Sequence, residues 1–310
     1  IPKAPSTLPD SPNHSNQMPC VCKEKKQNGT CPMSDFKHIL VDVPSPGVSR
    51  ITLNRPESRN ALNNTLRGEL YGQLEANDKD PAIQVTIIRG AGKAFCAGYD
   101  LKANNRADQP FHTAGGDGNW ARHVVDGFFR VWDLAKPVIA QVHGYCLAGG
   151  TELATSCDLV YVAEDASIGY PVVRSMSPPD NQFFPHLLGL RNAMEMMLTG
   201  NAISGIEAAE QGFANRAYPA DKLEAEVLEI AERIAKVPSD LQQMNKRAVH
   251  RQMELMGVRA AIRSGTEIQA LAFHTESTKA HFKELAAGLT TALTSRDQKF
   301  GDYRTKEKDE

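Results

Sequence analysis

The residues best suited to chemistry lie in two glycine-bearing turns, roughly fifty residues apart, and in the acidic groups near them. The first turn runs Gly90-Ala91-Gly92-Lys93-Ala94-Phe95-Cys96-Ala97-Gly98-Tyr99-Asp100-Leu101. The second runs Val142-His143-Gly144-Tyr145-Cys146-Leu147-Ala148-Gly149-Gly150-Thr151-Glu152-Leu153. Each follows an apolar strand pattern, and Gly149 falls where a helix begins. The first N–H groups of a helix lack internal partners and carry partial positive charge, so they suit an oxyanion. A second N–H, from the Gly98-Tyr99 turn, completes a two-donor hole for an acyl oxygen. The commoner use of such turns is plain strand-to-helix packing. Neither turn matches a dinucleotide fingerprint or a Walker loop. Glu152 stands one turn into the helix, where a carboxylate can activate water or move a proton, or can merely complement the helix dipole. Farther along lie Asp180, His186 and Arg174. An aspartate ahead of a helix is also the usual N-cap. His143 reads as structural, and Met194, Met196 and Met197 as helix core.

These residues need a scaffold of alternating strands and helices. Phe36 to Val43 and Val48 to Leu53 flank Pro44-Ser45-Pro46-Gly47 and predict a hairpin. Leu66, Leu70 and Leu74 share one face of a helix beginning near Asn63. Val85 to Ile88, Val138 to Val142 and Leu159 to Ala163 read as strands. A glycine-broken loop spans 103–118, and a helix follows from about Asn119 to Leu134. Short apolar strands separated by amphipathic helices indicate β-α-β units. After Gly200 the strand pattern stops. Ser204-x-x-Glu207 is a capping box, Gly212 a helix stop, and Asp221-x-x-Glu224 and Ser239 open further helices. Gly257 breaks the last of these, and Ser295 to Glu310 reads as a polar, frayed tail.

Composition narrows the function classes. Thirty-five Lys and Arg against 37 Asp and Glu give a net charge of −2 in 310 residues, which offers no bulk attraction for nucleic acid or an anionic membrane. No basic cluster is interleaved with aromatics, and no apolar run approaches a membrane span. Cys96, Cys146 and Cys157 sit in apolar segments, which points to a reducing, cytoplasmic compartment. Cys20-x-Cys22 with Cys31 lies in a polar leader and lacks the second pair that a zinc site needs.

Several segments then combine in a fixed order. They are Ile51-Thr52-Leu53-Asn54-Arg55-Pro56 with Asn60-Ala61-Leu62, Ala94-Phe95-Cys96-Ala97-Gly98-x-Asp100-Leu101, and Lys136-Pro137-Val138-Ile139-Ala140. Gly144-Tyr145-x-Leu147-Ala148-Gly149-Gly150-x-Glu152-Leu153 follows, then Cys157-Asp158, Leu198-Thr199-Gly200, Ala208-Ala209 and Gly212. In order and spacing they resemble the enoyl-CoA hydratase/isomerase (crotonase) superfamily over roughly residues 36–285.

The resemblance implies an α/β fold, a crotonase-like spiral of ββα units, with a helical C-terminal trimerisation region. The corresponding division is a leader at 1–33, a spiral core at 34–235, an oligomerisation region at 236–290 and a polar tail at 291–310. It also implies an acyl-CoA substrate, a homotrimer or a hexamer formed as a dimer of trimers, and no cofactor beyond the coenzyme A of the thioester. The enolate donors fall on the main chain of Tyr99 and Gly149, with the Tyr99 ring shaping the acyl pocket. The CoA strip falls on Arg59, Ala61, Ala97, Asp100, Leu101 and Lys102, although Lys102 reads equally as a surface lysine. Glu152 takes the place of one of two hydratase glutamates. The second falls on Val172, which cannot carry a proton, beside a pocket-lining Tyr170.

Asp180 is therefore a candidate for a direct proton role. The expected reaction is hydration of a 2-enoyl-CoA to a 3-hydroxyacyl-CoA, with Glu152 as base toward water and bulky aryl or alicyclic chains favoured. Double-bond isomerisation, C–C hydrolysis, decarboxylation and non-catalytic acyl-CoA binding are the alternatives. No metal, nucleic acid or membrane is implied.

Overall fold

The computed structural model describes residues 36–303, so the leader and its Cys20, Cys22 and Cys31 lie outside it. β1 (Ile39–Ser45) and β2 (Val48–Leu53) form the expected antiparallel hairpin. α1 (Asn64–Lys79) follows, with the Asn63 side chain accepting from Leu66 N at 2.8 Å as its cap. Three strand pairs then alternate with helices. β3 (Val85–Gly90) and β4 (Ala94–Cys96) lead to α2 (Asn119–Trp132). β5 (Val138–Val142) and β6 (Tyr145–Leu147) lead to α3 (Gly149–Ser156). β7 (Leu159–Ala163) and β8 (Ser167–Gly169) lead to α4 (Phe184–Thr199). Within each pair the first strand joins a six-stranded sheet and the second a four-stranded one. This is the expected spiral. Its inner strands read as unbroken apolar runs because helices and the second sheet cover them: Val138 to Val142 is buried throughout.

β9 (Ile203–Ser204), α5 (Gly205–Gln211) and β10 (Arg216–Tyr218) complete the two sheets. The strands therefore continue past Gly200, contrary to expectation. β9 pairs with β8 and β10 with β7, but at two and three residues neither is long enough to show a period. The capping box of α5 forms as expected, and Gly212 ends that helix at φ 90°.

The C-terminal section is helical, in α6 (Leu223–Ala235), α7 (Ser239–Leu255), α8 (Val258–Ala272), α9 (Glu276–Ala287) and α10 (Leu289–Gln298). Two expected caps differ. Asp221 does not cap α6, which opens instead with Leu223 N donating to Pro219 O at 3.1 Å. Ser239 is already the first residue of α7, after Pro238. The segment read as a polar tail is folded through Tyr303. Arg174 pairs with both carboxylate oxygens of Asp302 at 2.7 Å, and Tyr303 Oη donates to Gly200 O at 2.8 Å. One ion pair and one ring hold a stretch whose composition carries no apolar signal.

Two motif residues prove to be fasteners. Lys136 Nζ donates to Asn77 O and Asp80 O, tying β5 to the end of α1. Asp158 accepts from Val138 N and Lys246 Nζ, both at 2.8 Å, which pins α7 to the core. Asn60 is a third. It is fully buried at φ 56°, accepts from Arg55 N and donates to Ala91 O and Ala94 O at 2.8–2.9 Å. Asn60→Ala is expected to lower stability by about 2–4 kcal/mol, since three main-chain groups, one buried and two partly buried, lose a partner. Asn60→Gly relieves only the backbone strain and should recover little of that loss; denaturant midpoints of the three proteins compare them.

Candidate active site

Parallel pairing brings distant segments together. β4, β6 and β8 are neighbours in the small sheet, β4 to β6 and β6 to β8, and all run the same way. Their C-terminal ends therefore share one edge. From β4 emerges the Gly98-Tyr99 turn, from β6 the start of α3 with Gly149 and Glu152, and from β8 Tyr170 followed by the 3-10 turn Pro171–Arg174. The two glycine turns touch: a Cβ on Gly98, which sits at φ 99°, would stand 3.2 Å from Gly149 N. Leu62 pairs with the main chain on either side of Tyr99, donating to Gly98 O at 2.8 Å and accepting from Asp100 N at 3.0 Å. The Tyr99 N–H is outside that pairing. Gly149 N is the first of α3 and has no carbonyl four residues back within the helix. Ala148, just ahead of it, holds φ 51° and ψ −122°, a costly conformation for an alanine. The Tyr99 ring lies against Gly149, where a Cβ would come within 2.7 Å of it. Trp120 meets the same ring edge-on at 5.0 Å, and the Arg67 guanidinium lies over it.

The CoA strip of the resemblance falls on the flank of the same turn. Ala97 N donates to Arg59 O at 3.0 Å, and the Arg59 guanidinium lies over the Tyr145 ring. Arg55 joins two further members, donating to Ala61 O and pairing with Asp100 at 2.9 Å. Asp100 in turn accepts from Lys102 N, and Leu101 and Lys102 are exposed.

Glu152 is fully buried. Its Oε1 accepts from Tyr170 Oη and Asn181 N, each at 3.2 Å, while Oε2 has no partner among the described residues. Asp180 is also buried, and its Oδ1 is likewise unpartnered. It is not a helix cap, because α4 begins at Phe184 with Phe183 in the cap position. Burial, and then the Asp180 charge, push the Glu152 carboxyl well above the usual carboxylate range. Burial pushes Asp180 up to about 7, against the pull of Arg67. Two like groups so placed resist ionising together, and Arg67 favours the charged form of Asp180. Val172 is half-buried in the turn after Tyr170.

Other candidates lie elsewhere or do other work. Arg174 is engaged by Asp302 and by Thr199 O. His186 stands in the first turn of α4, with no hydrogen bond to Glu152 among the described residues. His143 meets Gly92 O at 2.8 Å, a structural contact. Met196 is buried, but Met194 is half exposed rather than core. Arg67, Asn181 and Trp120 join the site without having been singled out in the sequence. For Arg67 a signal exists: it lies next to Leu66 and one turn before Tyr71, inside the buried arc of α1.

No helix among the described residues is long and apolar enough to cross a membrane, and none of their His, Cys, Asp and Glu side chains cluster as a metal site. Since Asp180 is raised from 3.8 to about 7, its ionisation opposes folding from about pH 4 upward, with the full effect above 7. Asp180→Asn should therefore melt above the wild type at pH 8, and the gap should close toward pH 4; thermal unfolding across that range reads it.

Residues 44–302 match the family model described as "Enoyl-CoA hydratase/isomerase". Among relatives, a "Probable enoyl-CoA hydratase" of Rhizobium meliloti is 36% identical over 223 residues, covering 71% of this chain and 84% of that protein. The mitochondrial enoyl-CoA hydratase of Pongo abelii is 30% identical over 279 residues, covering 87% and 89%. The solved enoyl-CoA hydratase of Mycobacterium smegmatis superposes with a TM-score of 0.80 at 32% identity, over 87% of this chain and 98% of that one. The fold, the converging turns and these matches agree, and the chain belongs to the enoyl-CoA hydratase/isomerase family of the crotonase superfamily.

Proposed function

We propose that this protein hydrates a 2-enoyl-CoA to a 3-hydroxyacyl-CoA, using Glu152 and Asp180 as its two proton-carrying groups. One observation supports this most: a pair of buried carboxyl groups with unpartnered oxygens beside the Tyr99–Gly149 turns. The thioester oxygen accepts from Tyr99 N and Gly149 N, which stabilise the charge that develops as water adds to the β-carbon. Asp180, whose charged form Arg67 favours, takes a proton from that water as its oxygen bonds to the β-carbon. Protonated Glu152 then gives its proton to the α-carbon of the enolate. One water is consumed, and a proton passing from Asp180 back to Glu152 resets the pair. This reverses the role expected for Glu152, because burial favours its protonated form. Asp180 thus substitutes for a carboxylate at Val172.

Relatives named as hydratases favour hydration over isomerisation, C–C hydrolysis and decarboxylation. Val172 and the Tyr99 and Trp120 rings give the acyl pocket an apolar wall. Arg59, Ala61, Ala97, Asp100, Leu101 and Lys102 bind the CoA moiety, and no cofactor beyond that moiety is required. Exposed Leu241, Met244, Val249, Leu255 and Met256 on α7 and just past it support burial against further copies, as a homotrimer or a dimer of trimers in the cytoplasm.

Glu152→Gln and Asp180→Asn are each expected to lower kcat by about 10²- to 10⁴-fold on an enoyl-CoA panel in heavy-oxygen water. The wild type should place the label in a β-hydroxyl, followed by mass spectrometry. Its kcat/KM should climb with pH up to about 7, where Asp180 becomes ionised, and fall on the alkaline side as Glu152 loses its proton. Asp180→Asn should lose the acid limb. Full activity in either variant refutes the paired mechanism.

A further inference from the structure

Hydration uses the carboxyl pair and the two donor turns; Arg67, whose field bears on Asp180, keeps N–H groups that none of these fills. Arg67 on α1 is 1% exposed. Its Nη1 donates to Asn64 Oδ1 at 3.1 Å, while Nε and Nη2 meet no acceptor among the described residues. The guanidinium lies over three rings, with its carbon 5.6 Å from the centroid of Trp120, 5.8 Å from Tyr99 and 6.0 Å from Tyr71. Such faces attract a cation but leave its in-plane N–H groups unfilled. A leucine or methionine would fill the same arc of α1 without carrying an ion out of water. The groups around it leave those N–H groups open. Asp180 feels the Arg67 charge, but no hydrogen bond joins the two among the described residues. His123, whose Nδ1 meets Thr113 Oγ1 at 2.8 Å, is lowered to about 4 by burial, Arg67 and Arg130 and is neutral.

Position says what the guanidinium can meet. The ring of Tyr99 lies against Gly149, and the same ring carries Arg67 on its face. An acyl chain whose thioester oxygen rests on the Tyr99 and Gly149 N–H groups passes this ring. The CoA phosphates belong outside, by exposed Lys102, and do not reach a residue buried behind Tyr99. Arginine stays charged at any working pH, and its planar fork fits a carboxylate with two parallel hydrogen bonds. We infer that Arg67 forms a subsite for a carboxylate at the far end of the acyl chain, so that the substrates are 2-enoyl-CoAs derived from dicarboxylic acids.

This inference rests on the acyl-CoA hydratase reading, so the experiment separates the two. Saturated thioesters cannot be hydrated and report the subsite alone. Titration calorimetry would compare glutaryl-CoA and adipyl-CoA with their methyl monoesters and with pentanoyl-CoA and hexanoyl-CoA. The wild type should bind at least one diacid about ten- to a hundredfold more tightly than its ester and alkyl counterparts, the range of a charged, buried hydrogen-bonded pair. Arg67→Met should erase that preference while keeping alkyl-CoA affinity and an unchanged or raised Tm. Arg67→Lys should keep the preference in part.

Equal or weaker binding of both diacids by the wild type, which needs no variant, overturns the subsite. So does a preference that survives in Arg67→Met. A diacid preference without turnover of the matching enoyl-CoA leaves the subsite standing and removes the hydratase reading. Failure to bind any acyl-CoA removes both.

Discussion

Glu152 and Asp180 are held out of water within reach of each other's charge, and much of the surrounding structure answers to that placement. A buried carboxyl group without partners resists ionisation, and a second one beside it resists further. Three features set against this are the Asn181 N–H, the Tyr170 hydroxyl and the field of Arg67. None belongs to the element that carries Glu152. They come from the segment before α4, from the end of β8 and from α1. The carboxyl pair therefore persists only while three strand ends of the small sheet and a helix beyond it keep their register. The parallel pairing of β4, β6 and β8 supplies that rigidity, because slippage by one residue would turn a buried face outward.

Much of this was legible in the chain. The two glycine turns, the helix opening at Gly149 and the position of Glu152 followed from local pattern, since each is a short-range consequence of strand, turn and helix start. The helix start near Asn63 and the capping box Ser204-x-x-Glu207 formed as read, for the same reason. What escaped notice depends on long-range packing. Asp180 resembled a helix cap in sequence, and only the start of α4 at Phe184 leaves it free to face Glu152. β9 and β10 are too short to show a period and exist because a sheet edge offers them hydrogen bonds. Arg67 broke the apolar arc of α1, a clue that gains meaning only when the neighbouring rings are known. Residues 299–303 have no apolar pattern at all; Asp302 and Tyr303 are placed by partners more than a hundred positions away.

The roles within the site divide between main chain and side chain. The donors proposed for the thioester oxygen are backbone groups, so their placement depends on turn conformation and on Ala148 tolerating φ 51°. Proton carriers are side chains, and their identities can migrate when a neighbouring segment supplies an equivalent group. On the proposed mechanism the scaffold constrains where charge develops more tightly than which residue delivers the proton, so Asp180 can serve where Val172 cannot.

The folded end of the chain has a consequence of its own. Tyr303 stands against Gly169, the last residue of β8, and Asp302 grips Arg174, so the stretch that bears Tyr170 and Val172 is bracketed from behind by residues near the C-terminus. Substitutions at Asp302 or Tyr303 would thus be felt at Tyr170 and Val172, although more than a hundred residues of chain lie between them.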